Sequence, residues 1–189
     1  MSDLTITHAG STVTQTRQEV LSNNKKLNQM AVDLIDVTLT TTSGTHGDDT
    51  IVSHQIEIPN AVAVKGGAAI IQSIILSNTD DSIESPALEL IFTSNSLDLS
   101  GGGGTPVGDA ISVTDANVHD KILGAVTISN WSTFKPSSSE IALKANIGMV
   151  VKADSTTRSI YVGVINRSGA AYTPSDTDKL QMKIGIVKD

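Results

Sequence analysis

Apolar and polar residues alternate with a period of two along much of the chain from Val32 onward. Ile35, Val37 and Leu39 alternate with polar residues, and the most regular run extends from residue 180 to residue 187. A period of two points successive side chains to opposite faces of a strand, so these runs predict half-buried β-strands. The same reasoning predicts strands at residues 50–58, 88–93, 125–129, 141–143, 147–152 and 160–165.

Three segments depart from this alternation. Residues 68–77 are almost continuously apolar, which predicts a central strand buried on both faces. Thr114 and Asp115 have the side chains of a helix N-cap, so residues 115–123 predict one or two helical turns. Residues 94–110, which include four consecutive glycines, and residues 131–139 predict loops, and an ordered glycine loop would need a partner to hold it.

The spacing of these elements predicts the fold class. Eight to ten short strands separated by Gly, Ser, Asn, Asp and Pro turns, without long helices, are typical of an all-β sandwich or barrel. A β-sandwich that is jelly-roll-like suits a chain of this size. Residues 1–30 are polar and irregular, which predicts an extended N-terminal arm followed by a β-sandwich domain at residues 31–189.

Composition narrows the functional classes. The net charge is −7, and residues 31–120 carry thirteen acidic side chains but one base, Lys65. Binding to nucleic acid requires clustered bases against the phosphates, so we expect no nucleic-acid partner. The chain has no run of 18 apolar residues, and residues 1–10 lack the features of a secretory signal. We therefore expect synthesis in the cytoplasm and no membrane partner.

The sequence offers no catalytic signature. Cysteine is absent, no Gly-x-Ser-x-Gly motif occurs, and none of the four histidines has the context of a catalytic triad, so we expect no enzyme activity. No segment has the pattern of a phosphate-binding loop, and no cofactor is expected.

Two kinds of metal site are weighed against ordinary polar turns, and the sequence favours the turns, so no metal site is expected. His46, Asp48, Asp49 and His54 are suitable ligand types, but their spacing matches no zinc pattern, and the alternative is a polar turn with an exposed histidine. The second kind of site is a Ca²⁺ loop formed either by Asp80, Asp81 and Glu84 or by Asp176 and Asp178. The alternative is ordinary turn chemistry, in which the Asp side chain bonds its own backbone.

Several long segments resemble a known family. They are the turn Lys65-Gly66-Gly67 followed by AAIIQSIILSNTDD, then ALELIFTSNSLDL, AISVTDANVHDKILGAVTI, IGMVVKADSTTRSIYVGVINRSGAAYT and LQMKIGIVKD. Together these segments resemble the head decoration, or cement, proteins of tailed bacteriophages. The resemblance covers about residues 33–189 and leaves out the N-terminal arm.

The resemblance implies a virion structural protein on the outer capsid surface. Its partners would be the major capsid protein and further copies of itself, with which it would form a homotrimer. We hypothesise that the arm and the glycine loop reach these partners. The alternative is a receptor- or glycan-binding tail or fibre module, in which Trp131 would be a sugar platform instead of a core or rim anchor. The candidate contact residues are Gln15, Arg17, Val20, Leu21, Leu27, Gly101, Gly102, Gly103, Gly104 and Trp131.

Overall fold

The computed structural model describes residues 4–8, 11–15, 32–80, 84–101, 107–135 and 139–188. The chain divides into two compact units, Met1–Ala31 and Val32–Asp189. In the first unit, β1 (Leu4–His8) and β2 (Ser11–Gln15) form an antiparallel hairpin in which Ile6 pairs with Val13. These two strands were not predicted from the sequence, although the β-branched Thr, Ile and Val residues of both segments favour strands.

The second unit is built almost entirely from strands. Its one described helix, α1 (Asp115–Asp120), is capped by Thr114, whose hydroxyl accepts from the Asn117 N–H at 3.4 Å. The predicted N-cap is confirmed, although the helix ends before the expected residue 123. The strands are β3 (Val32–Thr38), β4 (Ile51–Ile58), β5 (Ala68–Asn78), β6 (Leu88–Thr93), β7 (Ile122–Ile128), β8 (Trp131–Lys135), β9 (Ser139–Lys152), β10 (Ile160–Asn166) and β11 (Leu180–Lys188).

These strands form two antiparallel sheets that pack together, which confirms the predicted all-β sandwich. The five-stranded sheet has the order β3-β11-β5-β9-β8, and the four-stranded sheet has the order β4-β10-β6-β7. The pairs are nested along the chain: β3 pairs with β11, β4 with β10, β5 with β9 and β6 with β7. Strand β8 adds to the edge of β9.

The predicted boundaries are wrong around β8 and β9. The loop expected at residues 131–139 contains β8, and the two strands expected at residues 141–143 and 147–152 are one strand. The break in the sequence pattern is a bulge, because Ser73 of β5 pairs with Ala145 whereas Ile71 pairs with Met149. Asn146 and Gly148 in this bulge have positive φ angles of 56° and 64°. Asn and Gly tolerate this conformation, which interrupts the apolar period without ending the strand.

Strand β5 is the central strand of the five-stranded sheet, as its apolar sequence predicts. The expected burial on both faces is wrong, however. Ile71, Ile74 and Leu76 are buried, whereas Ile70 and Ile75 on the opposite face are half-buried. One face of β5 therefore contributes to the core, and the other belongs to the outer face of the sandwich.

The main core lies between the two sheets. Buried side chains of β5 and β11 face those of β6 and β10, and Phe92 at its centre is fully buried. A second, smaller cluster lies on the other face of the four-stranded sheet, where Leu97 and Leu99 pack with Ile51, Ile91 and Ile165. The outward face of the four-stranded sheet is therefore partly covered by this chain.

Candidate functional site

The structure describes a few of the candidate contact residues. Gln15 is the last residue of β2, and Gly101 and Trp131 lie in the second unit. The remaining candidates lie outside the described residues, and they are Arg17, Val20, Leu21, Leu27, Gly102, Gly103 and Gly104.

Trp131 is a partly buried anchor at the start of β8. It packs against the main core, and its indole N–H donates to the Pro86 carbonyl oxygen at 2.7 Å. A sugar platform requires an exposed ring face, whereas this ring contributes to packing and its one donor is used within the chain. The geometry is that of the rim anchor considered from the sequence.

The part of the glycine loop that the structure describes is held by this chain itself. Leu97 and Leu99 are buried in the second cluster, and the Gln55 side chain accepts from the Leu97 N–H and donates to Thr93 at 2.8 Å. The Ser112 N–H donates to the Leu99 carbonyl oxygen at 2.8 Å. A partner is not needed to hold residues 94–101, which corrects the expectation for this side of the loop.

Gly101 begins the glycine run in a conformation that requires glycine. Its φ is +69°, and a Cβ atom would lie 2.5 Å from the Ser112 carbonyl oxygen. We expect Gly101→Ala to lower the free energy of unfolding by about 2 kcal/mol, since strain and a backbone clash combine. Urea unfolding measures the change. The matched control is Gly108→Ala, where φ is +89° but nothing lies within 4 Å, so the loss should be smaller. Equal losses would contradict the clash.

The candidate zinc residues have separate structural roles. His46 is buried, with its Nε2 3.0 Å from the Thr42 carbonyl oxygen, and its backbone pairs with Tyr172. Asp48 accepts from the Gly169 N–H at 3.0 Å, and Asp49 forms an ion pair with Arg167. Among the described residues, no three His, Asp or Glu side chains are placed to hold a metal ion. The expectation of an exposed His46 is wrong, because Tyr172 and the turn enclose its ring.

The described candidate calcium ligands also bind within the chain. The Asp80 carboxylate accepts from the Ser175 N–H at 3.1 Å, the Ser175 hydroxyl at 2.6 Å and the Asp176 N–H at 3.0 Å. Asp176 pairs with Lys179 at 3.1 Å, and Asp178 accepts from the Thr41 N–H at 3.2 Å. These contacts are loop-stabilising hydrogen bonds of the kind that acidic turn residues make.

A buried polar network lies beside these loops, and sequence reasoning missed it. Glu140 is fully buried, and its carboxylate accepts from Asn78 at 3.1 Å and from the Ser85 hydroxyl at 2.8 Å. Asn78 in turn accepts from the Asp80 N–H at 3.0 Å. Buried carboxylates are tolerated where donors satisfy their oxygens, so this network fixes the β5–β9 pair to the adjoining loop.

Burial raises the pKa of the Tyr172 hydroxyl, and the negative charges of Asp80, Glu140 and Glu84 raise it further. Because the raised value belongs to the folded state, the contribution to stability is complete below the unfolded pKa of about 10 and is lost as the pH rises through the folded value. We expect the free energy of unfolding to fall above about pH 10, and Tyr172→Phe to reduce that fall. Urea unfolding on either side of this pH measures both. Identical alkaline slopes would contradict the assignment.

The most extensive candidate for function is the outer face of the five-stranded sheet, called here the outer face. Val32, Val187, Ile70 and Val150 lie side by side on four adjacent strands. Leu34 and Leu143 lie in neighbouring rows of the same face. The exposed fractions are 55% for Val32, 58% for Leu34, 59% for Leu143 and 64% for Val150. Contiguous exposed apolar surface of this kind is typical of interaction sites.

Sequence reasoning did not identify this face. The strands of this sheet alternate as expected, and alternation assigns the apolar residues of a strand to the core. It does not indicate that apolar residues at the outward positions form an exposed surface. The signal in the sequence is that β5 is apolar at both inward and outward positions, as are Val150 and Val151 of β9. From the sequence alone, a continuous apolar run predicts burial on both faces, so it does not distinguish an exposed apolar face from a buried one.

No protein-family model matches the chain, and a search of curated proteins gives no significant match. In the part of the chain that the structure describes, no helix combines the length and apolar character needed to cross a membrane.

Proposed function

We propose that this chain is a non-enzymatic structural protein of a phage virion that decorates and stabilises the outer surface of an icosahedral capsid. Its partners in this proposal are the major capsid protein and neighbouring copies, grouped as homotrimers. The observation that carries the proposal is the outer face: Leu97 and Leu99 cover part of the outward side of the four-stranded sheet, whereas the five-stranded sheet presents exposed Val32, Leu34, Leu143 and Val150. This asymmetry favours a protein that functions by binding to other proteins.

The strand order supports the same class. Without β8, the strands of the second unit pair from the outside inward along the chain: β3 pairs with β11, β4 with β10, β5 with β9 and β6 with β7. We infer that this nested order is that of a jelly roll, in which a long two-stranded hairpin folds over into two sheets. Jelly rolls occur in viral capsid proteins and in lectins. The resemblance of residues 33–189 to decoration proteins favours the capsid.

The proposed action is thermodynamic. A protein that binds the assembled shell but not its separated subunits stabilises the shell by mass action. Small contacts repeated at many sites add to a large total, which opposes the pressure of packaged DNA. The net charge of −7 suits a position outside the shell, since an acidic surface has no affinity for phosphate.

The contacts with the capsid are assigned to the arm and to the tip of the glycine loop. These segments contain the candidate contact residues between positions 15 and 27 and at positions 102–104. Trp131 is omitted from this set, because its indole N–H is bonded to Pro86 and its ring packs on the core.

The proposal is tested by sedimenting purified full-length chain with phage shells that lack it, prepared both before and after expansion. We expect the chain to sediment with expanded shells at a fixed number of copies per particle, and to remain in solution with separated capsid subunits. Equal recovery with and without shells would overturn the proposal. Binding that a free sugar abolishes would instead support the glycan-binding alternative.

A further inference from the structure

We propose that the outer face binds a second copy of this chain. The inference rests on the proposed function, in which neighbouring copies touch, and it names the surface through which they do so. Three properties of the face carry it: its size, its distribution of apolar and polar side chains, and its charge.

The size of the face fits a stable protein–protein contact. Five strands spaced about 4.8 Å apart give a width of about 24 Å. The three strands β3, β11 and β5, of 7, 9 and 11 residues, give a length of about 30 Å at about 3.3 Å per residue. The resulting area is on the order of 700 Å². A standard interface buries about 800 Å² of each partner, so the complete face is close to the size of one side of a standard interface.

The side chains are arranged as in an interface. Exposed Leu143 and Val150 of β9 lie beside half-buried Ile75 and Ile70 of the central strand β5. Exposed Val32 and Leu34 lie on the edge strand β3. Polar residues occupy the end of the sheet, where Thr38, Gln181 and Ser77 lie side by side on adjacent strands. Apolar side chains bordered by polar ones are the usual composition of a protein interface.

The charge of the face favours another copy as the occupant. The chain carries −7 overall, so two copies repel each other wherever their acidic surfaces meet. Among the side chains described on this sheet, the charged ones at outward positions of the register are Asp36, Lys183 and Lys152. Asp36 and Lys183 form an ion pair at 2.7 Å. The face therefore has no excess of negative charge, so a neighbouring copy can contact it without repulsion between acidic side chains.

The test measures the mass of the purified full-length chain in solution by sedimentation velocity over a range of concentrations. We expect the wild type to form a species larger than one chain. Leu143→Lys and Val150→Lys should each raise the dissociation constant at least about tenfold, because a charge would be buried among apolar side chains. Added salt should strengthen wild-type association, since it screens the repulsion between acidic copies.

The matched control is Val64→Lys. Val64 is 63% exposed, close to Val150 at 64%, but it lies in the connection between β4 and β5, outside the strands that form the outer face. We expect this variant to associate like the wild type. Circular dichroism and thermal unfolding of all three variants check that each is folded, since these substitutions replace side chains that are more than half exposed.

Binding to shells, measured in parallel, separates this inference from the proposed function. A wild type that binds expanded shells but stays monomeric at about 100 µM would overturn the inference and leave the function standing. A wild type that associates through the outer face but binds no shell would overturn the function and leave the inference. Weakening by Val64→Lys equal to that by Leu143→Lys would also overturn the inference.

Discussion

Replacing Asn166 by Asp is expected to lower the free energy of unfolding by at least about 3 kcal/mol at neutral pH. Asn166 is fully buried at the end of β10. Its Nδ2 donates to the carbonyl oxygens of His46 and Gly47, both at 3.1 Å, and of Ala170 at 2.8 Å. The substitution is nearly isosteric, but it replaces the donor by a carboxylate oxygen that faces three carbonyl oxygens.

The loss should depend on pH in a defined direction. Burial beside acceptors raises the folded pKa of the introduced carboxyl group above its unfolded value of about 3.9. The variant is therefore closest to wild type below that value, and the difference grows as the pH rises through the folded pKa. Urea unfolding of wild type and variant at acidic and neutral pH measures this difference.

Asn166→Ala is the control for this prediction. It removes the same donor without adding a charge, so its loss should be smaller and should not change with the protonation of position 166. If Asn166→Asp had the same unfolding midpoint as wild type at neutral pH, the bonds from Asn166 would not hold the His46 turn to the Ala170 loop.

Phe92→Ala is expected to lower the free energy of unfolding by about 3–5 kcal/mol. Phe92 is fully buried between the sheets, and with aromatic residues at only 3% of the chain it is one of the largest side chains in the core. Truncation to Ala removes apolar contacts and leaves a cavity, because β6 is fixed by its hydrogen bonds to the flanking strands β7 and β10. Urea unfolding measures the change.

Phe92→Leu is the control, since it keeps most of the volume and should lose roughly 1 kcal/mol. A loss for Phe92→Ala no larger than that for Phe92→Leu would show that the core relaxes around the missing ring, contrary to a rigid sandwich.

The fold was largely predictable because the core residues alternate with polar residues along most of its strands. Met182, Ile184 and Ile186 of β11 are buried as the period of two predicts, and Thr114 caps the short helix. Strand β8 was missed because its sequence WSTFK has no apolar period, and it exists through pairing with β9. Edge pairing is a tertiary effect, which a local pattern does not contain.

The candidate site was less predictable for a related physical reason. Leu143 and Val150 are apolar residues of the kind that usually lie in a core. Only the register of β9 with β5 shows that they face outward. In the sequence, nothing distinguishes Asn166 and Glu140 from the other polar residues of the strands. Their partners are distant along the chain, as in the bond from Asn166 to His46, so no spacing in the sequence indicates the contact.

The most direct test of the decoration function is electron cryo-microscopy of particles prepared with and without this protein. The proposed function requires added density at regular positions on the outer surface of the shell, with neighbouring copies in contact through the outer face that carries Leu34, Leu143 and Val150. Shells that show no difference on their outer surface, or added density at the tail or fibres alone, would contradict it.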